Sequence, residues 1–127
     1  MGRILISSGG PWEDIVGYSR AVRVGNTVEI SGTTATDGNE IIGKGDMYAQ
    51  AAFIFKKIEN VLVAAGSKIE DVVRTRMFVT DISRWQEVAK AHAEVFADIR
   101  PAATMVEVAR LIDSGLLIEI EITAIIM

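Results

Sequence analysis

The C-terminal stretch LLIEIEITAII, residues 116–126, is the strongest constraint on how this chain can fold. From Ile118 to Thr123 it alternates apolar and polar residues, and only the two-residue period of a β-strand sorts that pattern onto two faces. Ile118, Ile120 and Ile122 share one face; Glu119, Glu121 and Thr123 share the other. The isoleucine face needs an apolar cover, and the upstream sequence supplies two. Met47, Ala51, Ile54, Phe55, Ile58, Val61, Leu62 and Ala65 recur at helical spacing, with Lys56, Lys57, Glu59 and Asn60 opposite and Gly66 where a helix-ending glycine belongs. Trp85, Val88, His92, Val95, Phe96 and Ile99 make the apolar stripe of a second helix. Ser83 and Gln86 suit a capping box at its start, and Pro101 bars its continuation.

The remaining segments read as strands and loops. Ile4 to Ser7 is a short strand, and GGPWEDIVG, residues 9–17, is a loop by its Gly and Pro content. YSRAVRV and TVEISGT alternate around Gly25-Asn26, a two-residue hairpin signal. ATDGNEIIGKGD is a polar, Gly-rich loop. DVVRTRMFVTD alternates again, with Val73, Thr75, Met77 and Val79 on one side and Arg74, Arg76 and Phe78 on the other. ATMVEVARL and the C-terminal strand close the chain. The order β-β-β-α-β-α-β-β predicts an α+β fold: one mixed six-stranded sheet with both helices on one face. The helix-free face then carries charges mixed with Phe78, Met105 and Ile125. That mixture suits either a wet antiparallel face or one covered by another copy of the chain.

Composition narrows the function classes. The 127 residues form a single domain, 1–127, with a net charge of −4 and a sequence pI near 5.0. An acidic chain without a basic face argues against nucleic-acid binding. With no cysteine there is no disulfide, thiolate nucleophile or cysteine metal site, and with one histidine a zinc site is not expected. No segment has the length of a membrane span, and the N-terminus lacks a signal-peptide pattern, so the expected location is cytoplasmic.

GYSRAVRVGNTVEISGT, AAGSKIEDVVRTRMFVTD, and above all RPAATMVEVARL followed by LLIEIEI, together resemble the RidA (YjgF) family over nearly the whole chain. The family signature reads roughly P-A-R-small-x-apolar-E-V, then a glutamate within a later apolar strand. The resemblance implies a chorismate-mutase-like fold and a homotrimer with a central barrel, helices outside and clefts between subunits. It also implies cofactor-free hydrolysis of reactive imines and enamines to carbonyl compounds and ammonia. Other members of the family are linked to RNA cleavage, translation inhibition or chaperone-like binding.

Carried over residue by residue, the resemblance assigns Tyr18 and Gly32 to the cleft, Glu119 to holding the attacking water, and Met105 to the strand whose backbone carbonyl helps position it. Ala103 stands where the arginine that clamps the substrate carboxylate is expected. Ala89 stands where the helix of the deaminases carries an asparagine. A guanidinium grips a carboxylate with two parallel hydrogen bonds. Losing such a clamp costs on the order of 3–5 kcal/mol, roughly two to four decades in kcat/KM.

Arg76, on the helix-free face, is the replacement cation the alternation suggests; its other reading is a cross-strand partner of Glu107, Glu119 or Glu121. Arg20 and Arg23 read as surface or interface charges, His92 as a packed histidine rather than a catalytic one, and Glu107 as structural. Trp12 suits either a pocket wall or a hydrophobic staple. Two functions follow: a hydrolase of small imine-like or related carbonyl metabolites with altered specificity, or a non-catalytic trimeric module that binds a metabolite or a protein.

Overall fold

The computed structural model describes residues 2–127. Eight strands form two sheets: β1 (Arg3–Ile6), β2 (Ala21–Val24), β3 (Thr27–Thr34), β4 (Thr36–Asp37), β5 (Glu40–Ile41), β6 (Val72–Val79), β7 (Ala102–Glu107) and β8 (Ile118–Ile125). Three α-helices are interspersed: α1 (Pro11–Val16), α2 (Met47–Ala64) and α3 (Trp85–Phe96). The main sheet runs β1-β2-β3-β8-β6-β7, and β4 and β5 make a separate hairpin. All pairings in the main sheet are antiparallel except β6 with β7, which are joined through α3.

The C-terminal strand sits in the middle of this sheet, between β3 and β6, as its continuous apolar face requires. Ile118, Ile120, Ile122 and Ala124 are fully or almost fully buried against Met47, Ile54, Phe55 and Ile58 of α2 and Val88 and Phe96 of α3. At about 25 cal/mol per Å² of apolar surface this packing is the main favourable term in folding. Gln50 is the polar exception, with no exposed surface. Its Nε2 donates to Gly43 O at 3.2 Å and Gly115 O at 3.0 Å, and its Oε1 accepts from Leu117 N at 2.8 Å, so α2 is tied to two loops without an unpaired group.

On the opposite face the register pairs Arg74 with Thr123, Arg76 with Glu121 and Phe78 with Glu119, as the alternation predicts. Four local expectations are corrected. Residues 11–16 are a short helix rather than loop, with Pro11 in its first turn, where a missing N–H costs nothing, and Gly17 at φ 88° closing it. The Gly-rich loop contains the β4–β5 hairpin. The Ser83–Gln86 box does not open α3, because a 3₁₀ turn over Ile82–Arg84 intervenes. Asp81 caps that turn instead, accepting from Ser83 N at 3.0 Å and Ser83 Oγ at 2.6 Å.

The fourth correction concerns Met105. It pairs with Met77 and packs against the core, on the helix side of the sheet, while Val106 pairs with Phe78 and is 42 % exposed on the helix-free side. Apolar residues at both parities leave the facing of β7 to its register with β6, and a one-residue slip exchanges the two faces.

Candidate functional site

The site begins with an irregularity in β3. Its register with β8 shifts between Ile30 and Thr33, and this bulge brings Gly32 against the Glu119 side chain. A Cβ on residue 32 would lie 2.8 Å from Glu119 Cδ and 3.2 Å from its Cγ, so any larger residue would push the carboxylate out of this position. Ser31 fastens the neighbouring strand: its N donates to Arg20 O at 3.0 Å and its Oγ to Ser19 O at 2.7 Å. Arg20, just ahead of β2, then reaches back, and its Nη2 donates to Gly32 O at 2.6 Å. The Arg20 Cζ lies 5.7 Å from the centroid of the Tyr18 ring. Gly32 and Glu119 are thus brought together by β3 and β8, and Arg20, with the Tyr18 ring beside it, joins them through Gly32 O.

Four charged side chains share this corner. Burial pushes the Glu119 carboxyl above its ordinary value; the field of Arg20 opposes that shift and the nearby Glu121 adds to it. Lys57, on α2, donates to Thr34 O at 3.0 Å and Thr36 O at 2.9 Å. Burial, and then the positive field of Arg20, lower its pKa. Glu13 of α1 is 6 % exposed and accepts from Ser7 Oγ, Ser8 Oγ and Ser8 N. Desolvation pushes Glu13 upward, but those hydrogen bonds and the Arg20 field outweigh it and leave the group below its ordinary value. The Nε of Arg20 is buried and has no hydrogen-bond partner among the described residues.

The other expected site residues lie elsewhere. Ala103 pairs with Thr75 and Met105 with Met77, so both side chains point to the helix side of β7, the strand at the far edge of the sheet. Glu119 faces the opposite side. From β8, which carries Glu119, to β7 is two strand spacings, about 10 Å. One chain therefore places the Ala103 and Met105 side chains on the other face of the sheet from Glu119. Arg76 lies in a shallow groove of the helix-free face with Val22, Glu29, Ser31 and Glu121, and its Nε is 3.9 Å from a Glu121 oxygen.

Several remaining residues have structural partners. Glu107 accepts from Ile82 N at 3.0 Å. His92 Nε2 is 2.9 Å from Thr75 Oγ1, and its ring packs with Phe55 and Phe96. Arg23 donates to Gly25 O and to Ala65 O, fixing the hairpin to the end of α2. Trp12 is half exposed on α1. A larger open depression, about 640 Å³, lies between the β4–β5 hairpin and Asp113–Gly115, away from the charged corner.

The profile of the family described as Endoribonuclease L-PSP matches residues 11–126 of this chain. A solved structure of Rv2704 from Mycobacterium tuberculosis, a member of the YjgF/YER057c/UK114 family, superposes with a TM-score of 0.90 at 48 % identity, covering 98 % of this chain and 100 % of that one. The chain belongs to the YjgF (RidA) family. Its relatives include an uncharacterized protein of Streptomyces coelicolor, 37 % identical over 94 % of this chain and 89 % of the relative. The 3-aminoacrylate deaminase RutC of Acinetobacter baylyi is 30 % identical over 92 % of each chain. The α+β sheet with its two main helices on one face is the arrangement of this family's solved structures. Among the described residues no helix is long and apolar enough to cross a membrane.

Arg20, Lys57 and Glu13 are the members of the corner that the sequence reading did not place there. One signal for Arg20 was present: it shares strand parity with Val22 and therefore the side of the sheet that Glu119 faces. Nothing local pointed to Glu13 or Lys57, which the tertiary fold brings to Arg20.

Proposed function

We propose that this YjgF-family chain forms homotrimers whose inter-subunit clefts hydrolyse or bind small imine, enamine or related carbonyl metabolites, with a specificity altered by Ala103. The observation that carries this reading is the Glu119 carboxylate, half-buried against Gly32 with no ion pair within 4 Å among the described residues. A carboxyl whose pKa is raised by burial suits general acid–base work. In the proposed reaction Glu119 accepts a hydrogen bond from a water and takes its proton as the oxygen attacks the imine carbon. Glu119 passes that proton to the imine nitrogen to give the amino alcohol; the hydroxyl proton then follows to the same nitrogen, ammonia leaves and a carbonyl remains. An enamine first takes a proton on carbon to become the imine. Water is the only co-reactant.

A second copy is needed in this reading because the Ala103 and Met105 side chains stand on the opposite face of the sheet from Glu119, two strands away on the edge strand β7. Exposed β7 on one copy can face the Tyr18–Gly32–Glu119 corner of the next. The chain's acidity disfavours RNA, whose phosphates call for a basic surface. The alternative function is a non-catalytic binding module, favoured by the alanine at position 103.

The deciding experiment supplies 2-aminoacrylate, generated in place by a serine dehydratase, and in parallel an imine without a carboxylate, and follows ammonia. Release above buffer with either substrate, abolished in Glu119→Gln, supports the hydrolase. No acceleration with either, together with a small molecule retained through purification, supports the binding module. A monomer of 13.8 kDa in light scattering at micromolar concentration overturns the shared cleft.

A further inference from the structure

We infer that Arg20 is the anion-recognising group of this cleft, holding the carboxylate of a small two- to four-carbon ligand beside Glu119, in place of the guanidinium missing at position 103. The inference rests on the cleft location proposed above, but not on turnover.

Three observations carry it. Arg20 is anchored at one end only: Nη2 is fixed on Gly32 O at 2.6 Å, whereas the buried Nε has no acceptor. A buried N–H without a partner costs free energy comparable to a lost hydrogen bond and is uncommon, so an acceptor from outside the chain has something to gain there. The neighbouring acids do not use the guanidinium up. Glu13 is engaged by Ser7 and Ser8, and neither Glu13 nor Glu119 forms an ion pair with Arg20 within 4 Å. Finally, a second cation, Lys57, is held close by on the carbonyls of Thr34 and Thr36, which adds positive potential to the same corner.

Arg76 is the less suitable candidate. It already faces Glu121, and about 40 % of its side chain is exposed, where an ion pair with a ligand is screened. An anion seated on Arg20 would lie on the same chain as Glu119, not on β7. The reacting carbon must then be within a bond or two of the carboxylate, which limits the ligand to compact acids.

The test uses the full chain, with pyruvate and its neutral isostere pyruvamide as probes and calorimetry as the readout, on the parent protein and on Arg20→Gln, Arg20→Lys and Arg76→Gln. The expected result is that the parent binds pyruvate at least tenfold more tightly than pyruvamide. Arg20→Gln should weaken pyruvate by roughly 30-fold or more while leaving pyruvamide nearly unchanged. Arg20→Lys should be intermediate, since an ammonium keeps the charge and loses the planar fork. In the parent, the Arg20 Nε–H resonance of arginine-labelled protein should shift saturably with pyruvate and not with pyruvamide. That measurement stands even if the glutamine variant does not fold. Equal binding of the two probes by the parent overturns the inference. So does loss of the preference in Arg76→Gln but not in Arg20→Gln. Arg20-dependent pyruvate binding without hydrolysis of any imine would instead remove only the hydrolase reading.

Discussion

The two faces of β8 are built on opposite principles. On the helix side, Ile118, Ile120 and Ile122 are closed off by α2 and α3, and the buried Gln50 has all its hydrogen bonds made within the chain. On the other side, Glu119 is half-buried without an ion pair, Arg20 has an orphaned Nε, and Glu121 meets Arg76 only at 3.9 Å. The first face is where the chain obtains its stability. The second retains polar groups whose partners are incomplete, which is expected where binding energy is reserved for something outside the chain. Stability and activity should therefore respond to different residues of one strand.

The largest effect should come from Glu119→Gln, which removes the proton acceptor and should abolish any measured imine hydrolysis. Because burial holds the folded-state pKa of Glu119 above its unfolded value, the group favours folding only at low pH, and that contribution is lost as pH rises through the folded pKa. At pH 7 the glutamine variant should melt at the same temperature as the parent or higher. A marked loss of stability with activity per folded protein retained would erase the contrast between the faces.

Next in size is a gain of function. In an Arg20→Gln background, Ala103→Arg should raise 2-imino-acid hydrolysis by roughly two to four decades, the worth of a carboxylate clamp. In the parent, where Arg20 already serves, the gain should stay within about tenfold. Adding Ala89→Asn tests whether a second lost polar contact limits either variant. If all arginine-103 variants fold and none outpaces buffer, the β7 wall has diverged and the binding module is the better reading.

The face contrast itself is read by a pair of stability variants. Ile120→Ala should cost roughly 2–5 kcal/mol in denaturant unfolding, because it empties a fully buried position between two strands and two helices. Glu121→Gln, which loosens an exposed pair, should cost less than about 1 kcal/mol. Comparable losses from both would mean that the helix-free face is as closed in solution as the helix-covered one.

The smallest effect is a pH dependence. Burial lowers the pKa of His92, so the folded chain favours its neutral form, hydrogen-bonded with Thr75. That stabilisation is present above the unfolded value, about 6.5, and is lost as pH falls through the folded value. Melting midpoints taken from pH 7.5 down to pH 5 should fall less steeply for His92→Gln than for the parent. Identical slopes would show that His92 does not titrate with unfolding.

Legibility in the sequence followed the range of the interaction concerned. The facing of Ile118 to Thr123, the Gly25-Asn26 turn and the extent of α2 to Gly66 rest on side-chain periodicity and backbone preferences within a few residues. Those are properties of the chain before it folds, and they were readable directly. Gly32 was singled out through the family resemblance alone; that the Glu119 side chain lies over it appears only in the fold. Met105 was misplaced because AATMVE carries apolar groups at both parities, and its facing is set by parallel pairing with β6, 28 residues upstream.

The sequence by itself determined which residues are apolar and at what period, and hence the two helices, the faces of β8 and the family. Only the tertiary structure decided that the Ala103 and Met105 side chains stand on the other side of the sheet from Glu119, and that Arg20 comes within the field of Glu119, Glu13 and Lys57. The physical reason is that a strand's period says which side chains share a face, whereas strand order, register and the β3 bulge depend on pairing between segments far apart in the chain. Arg20 read in isolation is one more surface charge; it becomes a candidate ligand-holding residue only when the bulge places Gly32 O within 2.6 Å of its Nη2 and leaves its Nε buried without an acceptor.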